Sequence, residues 1–302
     1  MSSLTVTTIQ PDLVWEDRAA NLQRLEEKIL SITEHTELVV LPEMFSTGFS
    51  MRPESLAEPM DGPTVTWMRD IAARRRIILT GSVIIREEDR YYNRLIWMLP
   101  NGEYGFYDKR HRFAFAGEDD HYTAGHKRLI ASVKGWRILL LVCYDLRFPV
   151  WSRQTPAEPI GKQAIHPPTE SVPNPQAPTE SANPGEQQAR SLAKPGEPDL
   201  EYDCILYVAN WPERRSLAWK TLLQARAIEN QAYVVGVNRV GNDGNAIYHN
   251  GDSMIIDPLG EILYHGHGKE ETHTLTLQKD KLNEIRTKFP FWRDADHFTI
   301  EP

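Results

Sequence analysis

The chain has 302 residues, 40% hydrophobic and 25% charged, a composition expected of a soluble globular protein with enough length to bury a large core. Its formal net charge of -8, with acids and bases interspersed, argues against nucleic acid or an anionic membrane surface as partner. The opening MSSLTVTTIQPDLVWED lacks a basic segment followed by an apolar one, and the longest central apolar run, Ile138 to Tyr144, is far shorter than a membrane-spanning helix. Two cysteines form neither a disulfide framework nor a zinc-ligand spacing, so a cytoplasmic protein without metal or cofactor is expected.

Leu4 to Gln10 alternates apolar and polar side chains and predicts a strand. Residues 16–33 predict a helix, because Leu22, Leu25, Ile29 and Ile32 fall on one face. Leu38 to Leu41 predicts a short strand stopped by Pro42, followed by a helix over 64–75 and a strand from Ile77 to Ser82. Asn101-Gly102 between Arg94–Leu99 and Glu103–Tyr107 marks a hairpin. Further strands are predicted at Arg137–Val142, Cys204–Ala209 and Ala232–Asn238, with a helix from Ser216 to Asn230 before the last. A hairpin at Met254–Asp257 and Glu261–His265, a strand at Thr272–Leu277 and a short helix complete the order. Strands alternating with helices, several of them apolar on both faces, predict an α/β protein with mixed sheets.

One stretch stands apart. Gln154 to Asp199 holds 10 of the 21 prolines and no Phe, Tyr or Trp. Such a composition buries too little apolar surface to offset ordering entropy of ~1–2 kcal/mol per residue, so 154–199 is expected to be a disordered insertion. Removing it leaves 256 residues, a plausible single domain spanning 1–302 around the insertion.

Three residues carry candidate chemistry. Cys143 follows the apolar RILLLV and precedes a polar YDLR, where a strand-to-turn junction exposes a nucleophile and aims backbone N–H groups at it. Glu43, in VVLPEMF, comes just after a strand and a proline, at the sheet edge where α/β proteins bind ligands. Lys109, in GFYDKRHRF, follows another strand and by itself reads as an ordinary surface lysine. Cys204 lies inside an apolar strand and reads as core.

The blocks LPEMF, YDKRHRF and CYDLRFP, in that order, resemble the Glu–Lys–Cys signature of the nitrilase superfamily. The resemblance extends to AGEDDHYTAG, VANWP, LLQARAIENQAYVVGVNRVG and GDSMIIDPLGE, and EMFSTGFSM, KRH and ANWP look closest to bacterial omega-amidases. It implies an α-β-β-α sandwich that dimerises into an α-β-β-α-α-β-β-α stack. It also implies hydrolysis of the side-chain amide of 2-oxoglutaramate or 2-oxosuccinamate. In such an enzyme Glu43 would be general base, Lys109 and the Tyr144 N–H would stabilise the oxyanion, and Glu118 would hold the lysine. The bland alternative for Glu118 is one of three acids in a solvated turn. Arg147 is expected to hold the nucleophile turn through an acidic partner. Arg215 would meet a substrate carboxylate or remain solvated, and His111 and Trp211 would shape the pocket or pack as core. A lysine acting mainly in the transition state should be removable without loss of thermal stability. Two other functions fit the same blocks: another amidase or N-carbamoyl hydrolase of the superfamily, and a silent member that binds proteins.

Overall fold

The computed structural model describes residues 2–154, 200–296 and 298–300. Its strands are β1 (Ser3–Gln10), β2 (Leu38–Val40), β3 (Ile78–Glu87), β4 (Arg90–Met98), β5 (Tyr104–Asp108), β6 (Leu129–Val133) and β7 (Trp136–Val142). They continue as β8 (Cys204–Val208), β9 (Tyr233–Val237), β10 (Val240–Asn242), β11 (Tyr248–Ile256), β12 (Ile262–His267) and β13 (Glu271–Gln278). The longer helices are α1 (Arg18–Leu30), α2 (Pro63–Arg75), α3 (Ser216–Asn230) and α4 (Lys279–Lys288).

One sheet has the order β13-β1-β2-β3-β4-β5, and the other β10-β11-β9-β8-β7-β6, with β12 also paired to β11. The period-2 alternation of the first sheet sets the layering. Leu38, Val40, Leu95 and Trp97 join a core shared with the second sheet, while Val39, Leu41, Ile96 and Met98 join a separate core with α1 and α2. Strands β7, β8 and β9 run parallel and are buried on both faces, with Trp219, Leu223 and Ala227 of α3 in the same core. The result is an α-β-β-α sandwich, as the family resemblance implied.

Helix α1 starts where Asp17 accepts the Ala20 N–H at 3.0 Å. Helix α2 opens with Pro63 at its first turn and closes on Arg76 in the left-handed region. The strand predicted to end at Ser82 continues to Glu87 and returns as β4 through Glu88, whose φ is 53°. That turn has no glycine to mark it. Strands β6 and β10 were also not apparent in the sequence. No helix among the described residues is long and apolar enough to cross a membrane.

The proline-rich insertion lies outside the described residues except for its first member. Gln154 is buried, donates its N–H to Asn230 Oδ1 at 3.1 Å and accepts the Tyr202 N–H at 3.2 Å. Gln154 therefore packs with the rest of the described chain, and the remainder of the expected insertion lies outside the described residues.

Candidate active site

Three strand ends bring the chemistry together. Glu43 emerges two residues beyond Leu41, past β2, Lys109 directly follows β5, and Cys143 directly follows β7. Lys109 is 1% exposed, and its Nζ donates to Glu43 Oε1 at 2.8 Å and to Glu118 Oε2 at 2.8 Å. Both glutamates are fully buried. Asn93 Nδ2 donates to Glu43 Oε1 at 2.8 Å and to Glu118 Oε1 at 3.2 Å, and Ser82 Oγ donates to Asn93 Oδ1 at 2.7 Å. The Asn210 N–H holds the other oxygen of Glu43 at 2.8 Å.

Electrostatics follow from this packing. Burial alone would lower the Lys109 pKa, but the Glu118 and Glu43 carboxylates outweigh it and hold the ammonium charged. Burial raises the Glu118 pKa, opposed by Lys109 and assisted by Glu43. Burial, and after it the negative charge of Glu43, pushes the Cys143 thiol well above its ordinary value, with Lys109 pulling the other way. The resting sulfur is therefore a neutral thiol, which could act as a nucleophile only if a base took its proton.

Cys143 sits at φ 44°, a left-handed conformation that costs a non-glycine residue about 1–3 kcal/mol and persists only when neighbours impose it. Asp145, fully buried, supplies much of that constraint. Its Oδ2 accepts the Val142 N–H at 3.0 Å and the Tyr107 hydroxyl at 2.8 Å; its Oδ1 accepts the His111 N–H at 3.0 Å. From α3, Arg226 Nη2 donates to the Leu146 carbonyl at 2.6 Å.

Cys143 opens onto a cavity of about 490 Å³. Phe49, Phe113, Tyr144 and Trp211 form apolar wall, and Arg147, Arg214, Arg215 and His249 supply polar groups. Burial, with the charge of Arg239 second, pushes His249 down to about 4, so its ring is neutral at physiological pH. Arg52 also lines the cavity but is paired with Glu16 at 2.7 Å.

The carbon-nitrogen hydrolase family matches the chain over residues 5–194 and 186–287. The chain belongs to that family. It is 40% identical over 301 residues to the omega-amidase YafV of Escherichia coli K12, covering 99% of this chain and all of that one. It is 26% identical to the 2-oxoglutaramate amidase of Bacillus subtilis, with 96% of each chain covered. The crystal structure of XC1258 from Xanthomonas campestris, a CN-hydrolase superfamily protein with an arsenic adduct in its active site, superposes with a TM-score of 0.85 at 39% identity over both full chains. The protein is thus a carbon-nitrogen hydrolase of the nitrilase superfamily.

In this hydrolase Lys109 meets both Glu43 and Glu118, and Cys143 opens onto the adjoining cavity. Among the acids of its turn Glu118 is buried and Asp119 and Asp120 are exposed, which separates it from a solvated run. Tyr144 and Trp211 line the cavity, and Trp211 is fixed by its N–H to Asn238 Oδ1 and its indole N–H to the Arg215 carbonyl, both at 2.8 Å. His111 does not shape the pocket. Its ring stacks on Phe148 at 3.8 Å and its Nδ1 lies 2.8 Å from Asp145, so it braces the nucleophile turn from behind. Arg147 is not the brace that was expected. It is exposed, lies over the Trp211 ring and makes no ion pair among the described residues; His111 has taken the acidic partner. Cys204 is buried in β8. Sequence reasoning missed Asn93, Asn210 and Asp145. Asn210 is the second residue of the ANWP block, just past the end of β8, and could have been flagged, whereas Asn93 lies inside β4 with no local signal.

Proposed function

We propose that this hydrolase releases ammonia from the omega-amide of 2-oxoglutaramate or 2-oxosuccinamate through a thioester on Cys143. The observation that carries this reading is the whole-length likeness to an omega-amidase, joined to a cavity whose wall holds three arginines. Arg147, Arg214 and Arg215 make no ion pair with a carboxylate among the described residues. The carboxylate of an extended five-carbon substrate stands about 5 Å from its amide carbon, and Cys143 and the three arginines line the same cavity, which would hold it. The same positive wall disfavours an α-ammonium, which separates 2-oxo acids from amino acids. Asp243 also lines the cavity, but its carboxylate accepts the N–H groups of Asn245 and Ile247 in its own loop.

Glu43 takes the thiol proton as sulfur attacks the amide carbon. Lys109 and the Tyr144 N–H stabilise the oxyanion, each such donor being worth roughly 3–4 kcal/mol in other acyl-transfer enzymes. Glu43 passes its proton to departing ammonia, then takes one from the water that cleaves the thioester; the sulfur recovers it. Glu118 and Asn93 position Lys109 and Glu43. The small-molecule amide is the main partner in this reading, and the homodimer implied by the resemblance is checked by solution mass.

The test is ammonia release from 2-oxoglutaramate, 2-oxosuccinamate, glutamine, asparagine, nitriles and N-carbamoyl compounds. The oxo-acid amides should be far superior, and Arg215→Ala should raise KM for them more than it lowers kcat. Equal turnover of glutamine, or activity confined to nitriles or carbamoyl compounds, would reject the assignment.

A further inference from the structure

On the edge of the second sheet, away from the cysteine, β12 carries His265 and His267. Two residues apart on a strand, their rings share one face. Both aim at one atom. His265 Nε2 lies 2.7 Å and His267 Nδ1 2.9 Å from Asp252 Oδ1. Asp252 is 1% exposed, sits at φ 60°, and occupies the point where β11 and β12 slip register between Gly251 and Ser253. A bulge of this kind re-aims one side chain out of the ladder, here toward the edge strand. The other oxygen of Asp252 is occupied: Asn250 Nδ2 donates to Oδ2 at 2.7 Å and Ser216 Oγ donates to the same atom.

We propose that Asp252, His265 and His267 form a binding site for a first-row divalent cation, with Zn²⁺ as the fitting ion. Two imidazoles and a carboxylate are a donor set suited to zinc, and the hydrogen bonds on Oδ2 orient the carboxylate as an outer ring of contacts does in metal sites. The three ligand atoms lie within 4.8 Å of one another. Ligands of one zinc stand about 3.0–3.5 Å apart, and the exposed rings, His265 at 34% and His267 at 60%, turn by the remainder. The solvent side leaves the other coordination positions to water. Lys220 Nζ is 4.0 Å from Oδ2, and at 36% exposure it swings into solvent when a cation arrives. The site would tie β11 and β12 to the first residue of α3, immediately after the cavity residues Arg214 and Arg215.

A second explanation is that the histidines serve only as hydrogen-bond partners of Asp252. Zinc titration separates the two. The full chain carrying Cys143→Ala, so that no active-site thiol competes, is stripped with chelator and titrated with Zn²⁺ by calorimetry. One ion per chain should bind, with affinity falling at least ~10-fold in His265→Ala and in His267→Ala. Zn²⁺ should raise the thermal midpoint of the Cys143→Ala chain and leave that of the doubly histidine-free variant unmoved. His267 is mostly exposed, so its removal spares the core and leaves a folded control. Absence of saturable binding, or equal affinity with and without the histidines, overturns the proposal.

Discussion

Replacing Lys109 by methionine preserves the stem and removes the charge. The sequence leads one to expect an inactive enzyme of unchanged stability, but the structure predicts otherwise. Lys109 is buried between two fully buried carboxylates, each 2.8 Å away. Removing one partner of a buried ion pair costs about 3–5 kcal/mol, because the other charge is left uncompensated. At about 2–4 °C per kcal/mol for a domain of this size, the thermal midpoint should fall by roughly 6–20 °C.

The cost should depend on pH, and its sign is fixed. Glu118 already has a raised pKa, through burial and the charge of Glu43, and loss of Lys109 raises it further. A carboxyl whose folded pKa exceeds its unfolded value contributes stability that is fully present below the unfolded value, about 4.3, and is lost as pH rises through the folded one. The deficit of the variant relative to the parent should therefore be larger at pH 8 than near pH 5. Calorimetric scans of both proteins at the two pH values measure it. Under the proposed mechanism kcat/KM should also fall about 10²–10³-fold, as for loss of one oxyanion donor. A variant as stable as the parent at pH 8 would refute the buried ion-pair reasoning, whatever its activity.

Cys143→Ala should keep the fold and abolish hydrolysis, and Cys204→Ala should stay active; iodoacetamide inactivation that follows Cys204 instead would reverse the assignment. Asp145→Asn places an amide where a carboxylate accepts four contacts, so kcat should fall by ~10-fold or more with little change in KM, and an unchanged kcat would mean that the turn holds Cys143 unaided. The dicarboxylate product 2-oxoglutarate should inhibit only at concentrations well above the KM for 2-oxoglutaramate; tight product inhibition would contradict the charge distribution assigned to the site.

What could be read from the sequence depended on whether a residue's role is local. Glu43, Lys109 and Cys143 each come shortly after a predicted strand, so their positions along the fold were legible, although Lys109 by itself read as a surface lysine and only the resemblance grouped the three. Helix α3 was legible for the same reason, and Ser216 to Asn230 is its observed span. Roles set by burial were not. The resemblance singled out Glu118, but what distinguishes it physically from Asp119 and Asp120 is the Lys109 ammonium, the Asn93 amide and the Phe113 N–H that meet it after folding. His111 and Arg147 both lay near a candidate acid in sequence, and packing gave Asp145 to His111. The Asp252–His265–His267 cluster depends on a bulge that pairs residues from two strands, and counting cysteines could not reveal it.

The charges of the site divide in a way that gives direction to a substrate. Inside are two carboxylates and one ammonium around a neutral thiol; outside are Arg147, Arg214 and Arg215, while Arg52 and Glu16 offset each other. The substrate of the proposed function, a monoanionic oxo-acid amide, has one charged end and one neutral end. Its carboxylate is repelled from Glu43 and Glu118 and attracted to the arginines, so the amide end enters first. Hydrolysis reverses the balance at the inner end. It replaces a neutral amide by a carboxylate beside two existing ones, both of them fully buried. Under the proposed function, one arrangement would both orient the reactant and favour departure of the product.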